Sequence, residues 1–118
     1  MSKVVVVVGD MIFRTKIAST AHTVGLGVDF AESLNDFKSL TGVTSPSYVL
    51  IDLEQEDSLV AGVLDHVSQL SQRPQLLGYC PHVRQSVIEH AKTSGFDQVM
   101  TRSSFATNLP TILGELVE

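Results

Sequence analysis

Apolar residues are arranged along the chain in two alternating ways, as short continuous runs and as longer stretches with a spacing of three or four. The first run, Val4 to Val8, is entirely β-branched, which is typical of a central strand covered on both faces. Further runs predict strands at Val28 to Ala31, at "SYVLIDL", at Gln75 to Tyr79 and at Phe96 to Met100. The chain is therefore expected to alternate between strands and helices.

The stretches that follow the strands predict helices, each with apolar residues on one face. Glycines at Gly25, Gly42 and Gly95 predict where three of these helices end, and Ser33 predicts the start of the second. The apolar positions are Phe13, Ile17, Ala21 and Val24; Leu34, Phe37 and Leu40; Leu59, Val60, Val63, Leu64, Val67 and Leu70; Val83, Val87, Ile88 and Ala91; and Leu109, Ile112, Leu113 and Leu116.

This alternation predicts an α/β protein with three layers, α/β/α, around a five-stranded parallel sheet. The (βα)5 pattern favours the flavodoxin-like strand order 2-1-3-4-5. In that order the carboxyl ends of the first and third strands are neighbours, and a functional crevice is expected beyond them. Asp10 follows the first strand and Asp52 closes the third, so we expect their carboxylates to meet in this crevice.

Composition narrows the class of protein. The chain has 118 residues, of which 43% are hydrophobic and 18% charged, so residues 1–118 are expected to form a single globular domain. The net charge is −5 and the eight Lys and Arg residues are scattered, which argues against nucleic-acid binding. Cys80 has no partner for an internal disulfide, no signal peptide is evident, and no apolar run approaches the ~20 residues of a membrane span. We therefore expect a cytoplasmic protein.

The two aspartates suggest a metal site. Neighbouring carboxylates repel each other unless a cation lies between them, and Mg²⁺ commonly binds one or two carboxylates together with water. Asp10 and Asp52 could form such a site. Two simpler readings stay open: Asp10 could only cap the following helix, and backbone amides could hold Asp52.

The fourth and fifth strands predict further crevice residues. His82 follows the fourth strand and could titrate near neutral pH, although it could equally lie on the surface. Arg102 follows the fifth strand and could reach the carboxylates as a fixed cation, or else be solvated. Ser103 and Ser104 could place hydroxyls and helix-start amides at an anion, which suggests a small anionic ligand as an alternative function.

Three segments, "VVVVVGD", "VLIDLEQ" and "PQLLGYC", resemble the receiver domain of bacterial response regulators (the CheY-like family), and the resemblance extends over essentially the whole chain. It implies that Asp52 accepts a phosphoryl group from a partner histidine kinase. It also implies that Mg²⁺ is bound by Asp10 and Asp52, with the backbone carbonyl of Glu54 as a third contact. Such a domain signals and is not an enzyme in the usual sense.

Several positions depart from the pattern of that family. Gly9 replaces the first acid of the usual pair, Tyr79 stands at the switch hydroxyl position, and Thr101-Arg102 replaces Lys-Pro. Arg102 would then have to supply the cation that the Lys normally provides. We therefore expect an atypical receiver, in which Asp52 is a degenerate phospho-acceptor or belongs to a pseudo-receiver. It would act on a histidine kinase or a downstream regulator through protein contacts on the surface of the fourth predicted helix, the fifth strand and the last helix.

Overall fold

The computed structural model describes residues 4–43, 46–53, 57–80 and 95–116. Its strands form one parallel five-stranded sheet in the order β2-β1-β3-β4-β5, which confirms the predicted fold. The strands are β1 (Val4–Val7), β2 (Val28–Ala31), β3 (Tyr48–Asp52), β4 (Gln75–Cys80) and β5 (Gln98–Thr101). The helices in the described ranges are α1 (Met11–Val24), α2 (Leu34–Val43), α3 (Asp57–Ser68), α4 (Arg102–Thr107) and α5 (Leu109–Leu116).

The β-branched run of β1 is buried on both faces of the sheet, and every residue from Val4 to Val7 is fully buried. Because successive side chains of a strand point to opposite faces, these four valines contribute to two separate cores. Val4 and Val6 pack with residues of α1, α4 and α5, whereas Val5 and Val7 pack with residues of α2 and α3. The helices therefore form one layer on each face of the sheet.

The end of the chain differs from the single predicted helix. Two helices, α4 and α5, are separated at Asn108, whose amide donates to the Ser104 carbonyl at 3.0 Å. Pro110 explains the interruption, because its ring lacks an N–H and would clash with the carbonyl of Ala106 in a continuous helix. The helix predicted over Val83 to Ala91 lies outside the described residues.

Smaller differences concern the ends of elements. The strand β5 begins two residues later than Phe96. Just before it, the Asp97 carboxylate accepts from the Leu76 amide at 2.7 Å and the Asp97 amide donates to the Leu76 carbonyl at 2.9 Å. Phe96 is nevertheless buried, in the core that α2 and α3 cover. The third helix ends at Ser68 and does not extend to the apolar Leu70.

The register of the sheet places the candidate residues. Val7 of β1 pairs with Ile51 of β3, so Asp10, which follows β1, and Asp52, which ends β3, belong to adjacent strands. On the other side of β3, Asp52 pairs with Tyr79 of β4. The carboxyl edge of the sheet is therefore the edge at which the predicted site residues gather.

Candidate functional site

Asp10 is the N-cap of α1. Its Oδ1 accepts hydrogen bonds from the amides of Ile12 at 2.9 Å and Phe13 at 3.4 Å. The residue has an extended backbone, with φ −86° and ψ 116°, as expected for a capping residue. One carboxylate oxygen of Asp10, Oδ1, therefore caps the helix, as the simpler interpretation expected.

The other oxygen of Asp10 binds an arginine. Arg102 donates from Nη2 to Asp10 Oδ2, and the side chains of the two residues are 34% and 33% exposed, respectively. The guanidinium also lies over the ring of Phe13, with Cζ 5.1 Å from the ring centroid. An aromatic face attracts a guanidinium electrostatically, so Phe13 and Asp10 together fix the position of this cation.

Local sequence explains why Arg102 lies at this edge. Thr101 ends β5 and caps α4, because its Oγ1 accepts from the Ser104 amide at 3.1 Å. The chain therefore turns directly from strand into helix, and Arg102 becomes the first residue of α4. A cation in the first turn is disfavoured by the helix dipole, so the contact with Asp10 offsets an otherwise unfavourable placement.

Asp52 is a buried acid, with 6% of the residue exposed. By strand alternation its side chain is on the same face of the sheet as Leu50, which belongs to the core that α1, α4 and α5 cover. Arg102, Asp10 and Phe13 lie on that same side. Asp52 therefore belongs to the edge at which the ion pair forms, and its own environment is far less solvated than that of Asp10.

Three aromatic rings lie beneath the ion pair. Phe13 stacks on Tyr79 with centroids 5.0 Å apart, and Tyr79 stacks on Phe105 at 4.5 Å. Phe13 and Phe105 are themselves 5.6 Å apart, so each ring contacts the other two. This aromatic stack joins α1, β4 and α4, and Phe105 is three residues after Arg102 on the same helix.

The pKa of Asp10 lies below its ordinary value. Partial desolvation acts to raise this pKa, but the amide hydrogen bonds from Ile12 and Phe13 and the charge and hydrogen bond of Arg102 lower it by more. Asp10 is consequently a carboxylate at neutral pH, which is the form that the arginine requires.

A second arginine at this edge has a different partner. Arg14 Nη1 contacts Glu32 Oε1 at 2.5 Å, and its Cζ lies 4.9 Å from the centroid of the Phe30 ring. Glu32 directly follows β2, so this pair lies toward the β2 side of the edge. Like Arg102, Arg14 therefore pairs with an acid and lies over an aromatic ring. Among the described residues its acidic partner is Glu32 and not Asp10.

The remaining predicted site residues are distributed as follows. Tyr79 is buried in the aromatic stack, and Cys80 beside it is also buried, with its Sγ 3.9 Å from the Met100 carbonyl oxygen. Ser103 and Ser104 are exposed and lie in the first turn of α4, which precedes the last helix. His82 and Glu54 lie outside the described residues.

The fit of these residues to Mg²⁺ depends on Asp10. Within residues 4–43, 46–53, 57–80 and 95–116, no group of three or more His, Cys, Asp and Glu side chains is placed to hold a metal ion. Both oxygens of Asp10 already accept hydrogen bonds, one from α1 amides and one from Arg102. In this arrangement the described donor set does not fit a divalent ion.

Two residues of this site were not identified from the sequence. Phe13 was predicted only as a core position of the first helix, and nothing in its spacing marks the guanidinium above it. Thr101 carried a readable signal, because a threonine followed by the polar segment Arg102 to Ser104 is a common helix start. Applying that signal would have placed Arg102 in the first turn of a helix.

The sheet order and the layers define a flavodoxin-like α/β protein whose acids gather at the carboxyl edge. No protein-family model matches the chain, and no curated protein sequence matches it. No helix in the described part of the chain is long and apolar enough to cross a membrane.

Solved structures do match the whole chain. CheY4, a chemotaxis response regulator of Vibrio cholerae, is 15% identical with a TM-score of 0.82, and 99% of each chain is covered. A response regulator from Hahella chejuensis is 14% identical with a TM-score of 0.81, covering 98% of this chain and 96% of its own. One from Thermotoga maritima is 11% identical with a TM-score of 0.79, covering 99% and 98%. The chain therefore has the CheY-like receiver fold.

Proposed function

We propose that this protein is an atypical receiver-like signalling domain that acts through protein contacts and does not depend on phosphorylation of Asp52. Of the two forms expected from the sequence, this is the pseudo-receiver. The ion pair between Arg102 and Asp10, formed at the same edge of the sheet as the buried Asp52, is the observation that carries the proposal.

Phosphoryl transfer to a carboxylate needs an accessible attacking oxygen and a cation that neutralises the transferred group. Asp52 offers little accessible surface, since 6% of the residue is exposed. Arg102, the cation that would serve in place of the family's Lys, donates to Asp10. Both requirements are therefore poorly met, and no step of the proposal depends on Mg²⁺. The prediction of Mg²⁺ on Asp10, Asp52 and Glu54 stays a prediction.

Protein contact has two structural supports. Met11 and Ile12, in the first turn of α1, are 69% and 83% exposed although both are large and apolar, and they adjoin the charged pair at Asp10. In addition, Arg102 and Phe105 share the short helix α4, so a partner that displaces the arginine would also act on the aromatic stack and on α5. A histidine kinase or a downstream regulator is the kind of partner that the receiver fold suggests.

The alternative function, binding of a small anionic ligand, has less support. The Ser104 amide already donates to Thr101 Oγ1, and the Arg102 guanidinium already donates to Asp10. An anion at Ser103 and Ser104 would have to compete with both contacts. No described contact favours this function over the first.

Phosphorylation is tested by incubating the protein with acetyl phosphate, or with beryllofluoride, in the presence of Mg²⁺ and following intact mass and amide NMR spectra. We expect no adduct on the wild-type chain. An adduct that disappears in Asp52→Asn but persists in Asp65→Asn, a control acid on the exposed side of α3, would show that Asp52 is an acceptor. Thermal stabilisation by phosphate or nucleotides alone would instead favour the ligand-binding alternative.

The contact role needs a separate experiment, which is affinity purification of tagged wild-type, Arg102→Gln and Ile12→Ser chains from the source cells. A partner that is recovered in stoichiometric amount with wild type and lost with either variant would support the proposal. Recovery of the same proteins with all three chains would contradict the placement of the contact surface at this edge.

A further inference from the structure

The positive charge next to Asp10 is supplied by a side chain, the guanidinium of Arg102. Asp10 Oδ1 accepts from the Ile12 and Phe13 amides, and Oδ2 accepts from Arg102. A divalent ion that bound Asp10 through Oδ2 would have to displace the guanidinium. One that bound through Oδ1 would compete with the cap of α1.

Arg102 is also held in place independently of its ion pair. Its guanidinium lies over Phe13, which stacks on Tyr79 and Phe105. Arg102 begins α4 directly after the edge strand β5, and the Thr101 cap fixes the backbone at this turn. The Arg102 guanidinium therefore has a defined position and is not a mobile surface side chain.

Charge counting leads to the same conclusion. With Asp52 ionised, Asp10 and Asp52 would offer two negative charges to a divalent ion, but the guanidinium reduces this to one. The ion would moreover lie close to a fixed positive charge, and the repulsion between like charges is stronger at a partly desolvated site than in bulk water. Carboxylate number is a main determinant of affinity for hard divalent ions.

We infer that Arg102 acts as a resident counter-ion that excludes divalent cations from the crevice, and that removing its guanidinium uncovers a divalent cation site on Asp10 and Asp52. The inference rests on the assignment of this crevice as the functional site of the proposed receiver-like domain. It states which cation neutralises the carboxylates of that site. Its test measures ion binding and not signalling, so the two proposals can fail separately.

The test is a titration of the full chain with Mn²⁺, followed by the loss of the free-ion EPR signal, with Mg²⁺ as a competitor. The wild-type chain should show no saturable binding at millimolar Mn²⁺. Arg102→Gln should bind one ion saturably, with a Kd at least about tenfold below the highest Mn²⁺ concentration at which wild type shows no binding. The double variant that adds Asp10→Asn should lose this binding, because it lacks one of the two carboxylates.

Arg14→Gln is the matched control. It removes the same charge from the same edge of the sheet, but Arg14 contacts Glu32 and not Asp10 in the described structure. It should therefore gain no ion. Arg102→Lys keeps a positive charge near Asp10 and should also exclude the ion. Circular dichroism establishes that each variant is folded, and Arg102→Met, which can still pack on Phe13, replaces Arg102→Gln if that chain does not fold.

Three results would overturn the inference. Saturable Mn²⁺ binding by the wild-type chain, with Mg²⁺ competition, would show that Arg102 does not exclude the ion. Absence of binding in every folded neutral variant at position 102 would show that something else does. Equal gains in Arg14→Gln and Arg102→Gln would show that net charge, and not occupation of Asp10, controls the site.

Discussion

Arg102 and Asp10 are 92 positions apart in the sequence, and yet the guanidinium of the first donates to the carboxylate of the second. The contact joins the first residue of α4 to the residue that caps α1. These helices lie on the same face of the sheet, so one ion pair connects the first and the last βα units of the fold. Removing either partner of this pair is therefore expected to alter the structure around both α1 and α4.

The pair makes stability depend on acid pH in a defined direction. The pKa of Asp10 lies below its ordinary value of 3.8, so the folded chain binds this proton less tightly than the unfolded chain does. The carboxylate thus stabilises the fold above 3.8, and this stabilisation is lost as the pH falls through the folded value. Asp10→Asn should therefore be less stable than wild type at neutral pH, with a difference that shrinks below 3.8.

Urea unfolding from neutral to acid pH measures this difference. Asparagine is as good a helix cap as aspartate, so the substitution removes the charge while it keeps a capping oxygen. Arg102→Gln should move the pH window upward toward the ordinary value, because one of the contacts that lower the pKa is gone. A difference between wild type and Asp10→Asn that does not change with pH would contradict the described contacts.

The positions of the two arginines over aromatic rings predict NMR shifts. The guanidinium of Arg102 lies over Phe13 and that of Arg14 lies over Phe30, so ring currents should shift the side-chain protons of both arginines upfield. Phe13→Leu should return only the Arg102 resonances toward ordinary values. Phe30→Leu should do so only for Arg14, which makes each variant the control for the other. Unshifted Arg102 protons in the wild-type chain would mean that the cation is solvated.

Gly25 and Gly114 provide a matched pair of predictions about the backbone. Gly25 ends α1 with φ +78°, and an added Cβ there would contact nothing within 4 Å, so its cost is conformational. Gly25→Ala should lower the free energy of unfolding by roughly 1–2 kcal/mol. Gly114 lies within α5, also with no atom within 4 Å of an added Cβ, and Gly114→Ala should raise that free energy by up to about 1 kcal/mol.

Thermal or urea unfolding of the two variants under identical conditions checks this pair. Equal effects of the same sign would contradict the left-handed conformation at Gly25, since the two positions differ in backbone angle and not in available space.

Most of the fold was predictable because the apolar pattern is constrained on both faces of the sheet. A run such as Val4 to Val7 can be accommodated only where two layers of helices cover it, and this requirement leads directly to a parallel sheet. The position of Asp52 at the end of the third strand was predictable for the same reason, because that strand is recognisable from its apolar residues. The strand order followed from the number of βα units.

The site was less predictable, since it depends on the path of the chain after β5. A shift of one residue in the start of α4 would turn Arg102 away from Asp10, and element boundaries are the feature that sequence patterns define least well. Helix capping by Asp10 was also posed only as the alternative to a metal site, whereas one oxygen of the carboxylate caps α1 and the other accepts from Arg102. Sequence spacing does not show which hydrogen-bond donors the two oxygens of a carboxylate accept from.

The aromatic stack predicts that the core and the ion pair are coupled. Phe105 is fully buried and contacts both Phe13 and Tyr79, so Phe105→Ala should lower the free energy of unfolding by about 3–5 kcal/mol through the cavity and the lost ring contacts. Phe37 is equally buried but lies in the core on the opposite face of the sheet. Phe37→Ala should therefore have a similar cost.

The two variants should differ in their effect on the carboxyl edge. Removing the Phe105 ring leaves Phe13 without one of its two stacking partners, which should loosen the surface on which Arg102 rests and raise the pKa of Asp10 toward its ordinary value. Phe37→Ala leaves that surface intact. NMR titration of the Asp10 carboxyl carbon, in chains that circular dichroism shows to be folded, measures this difference. An Asp10 pKa that is the same in wild type, Phe105→Ala and Phe37→Ala would mean that the stack supports the fold without positioning the arginine.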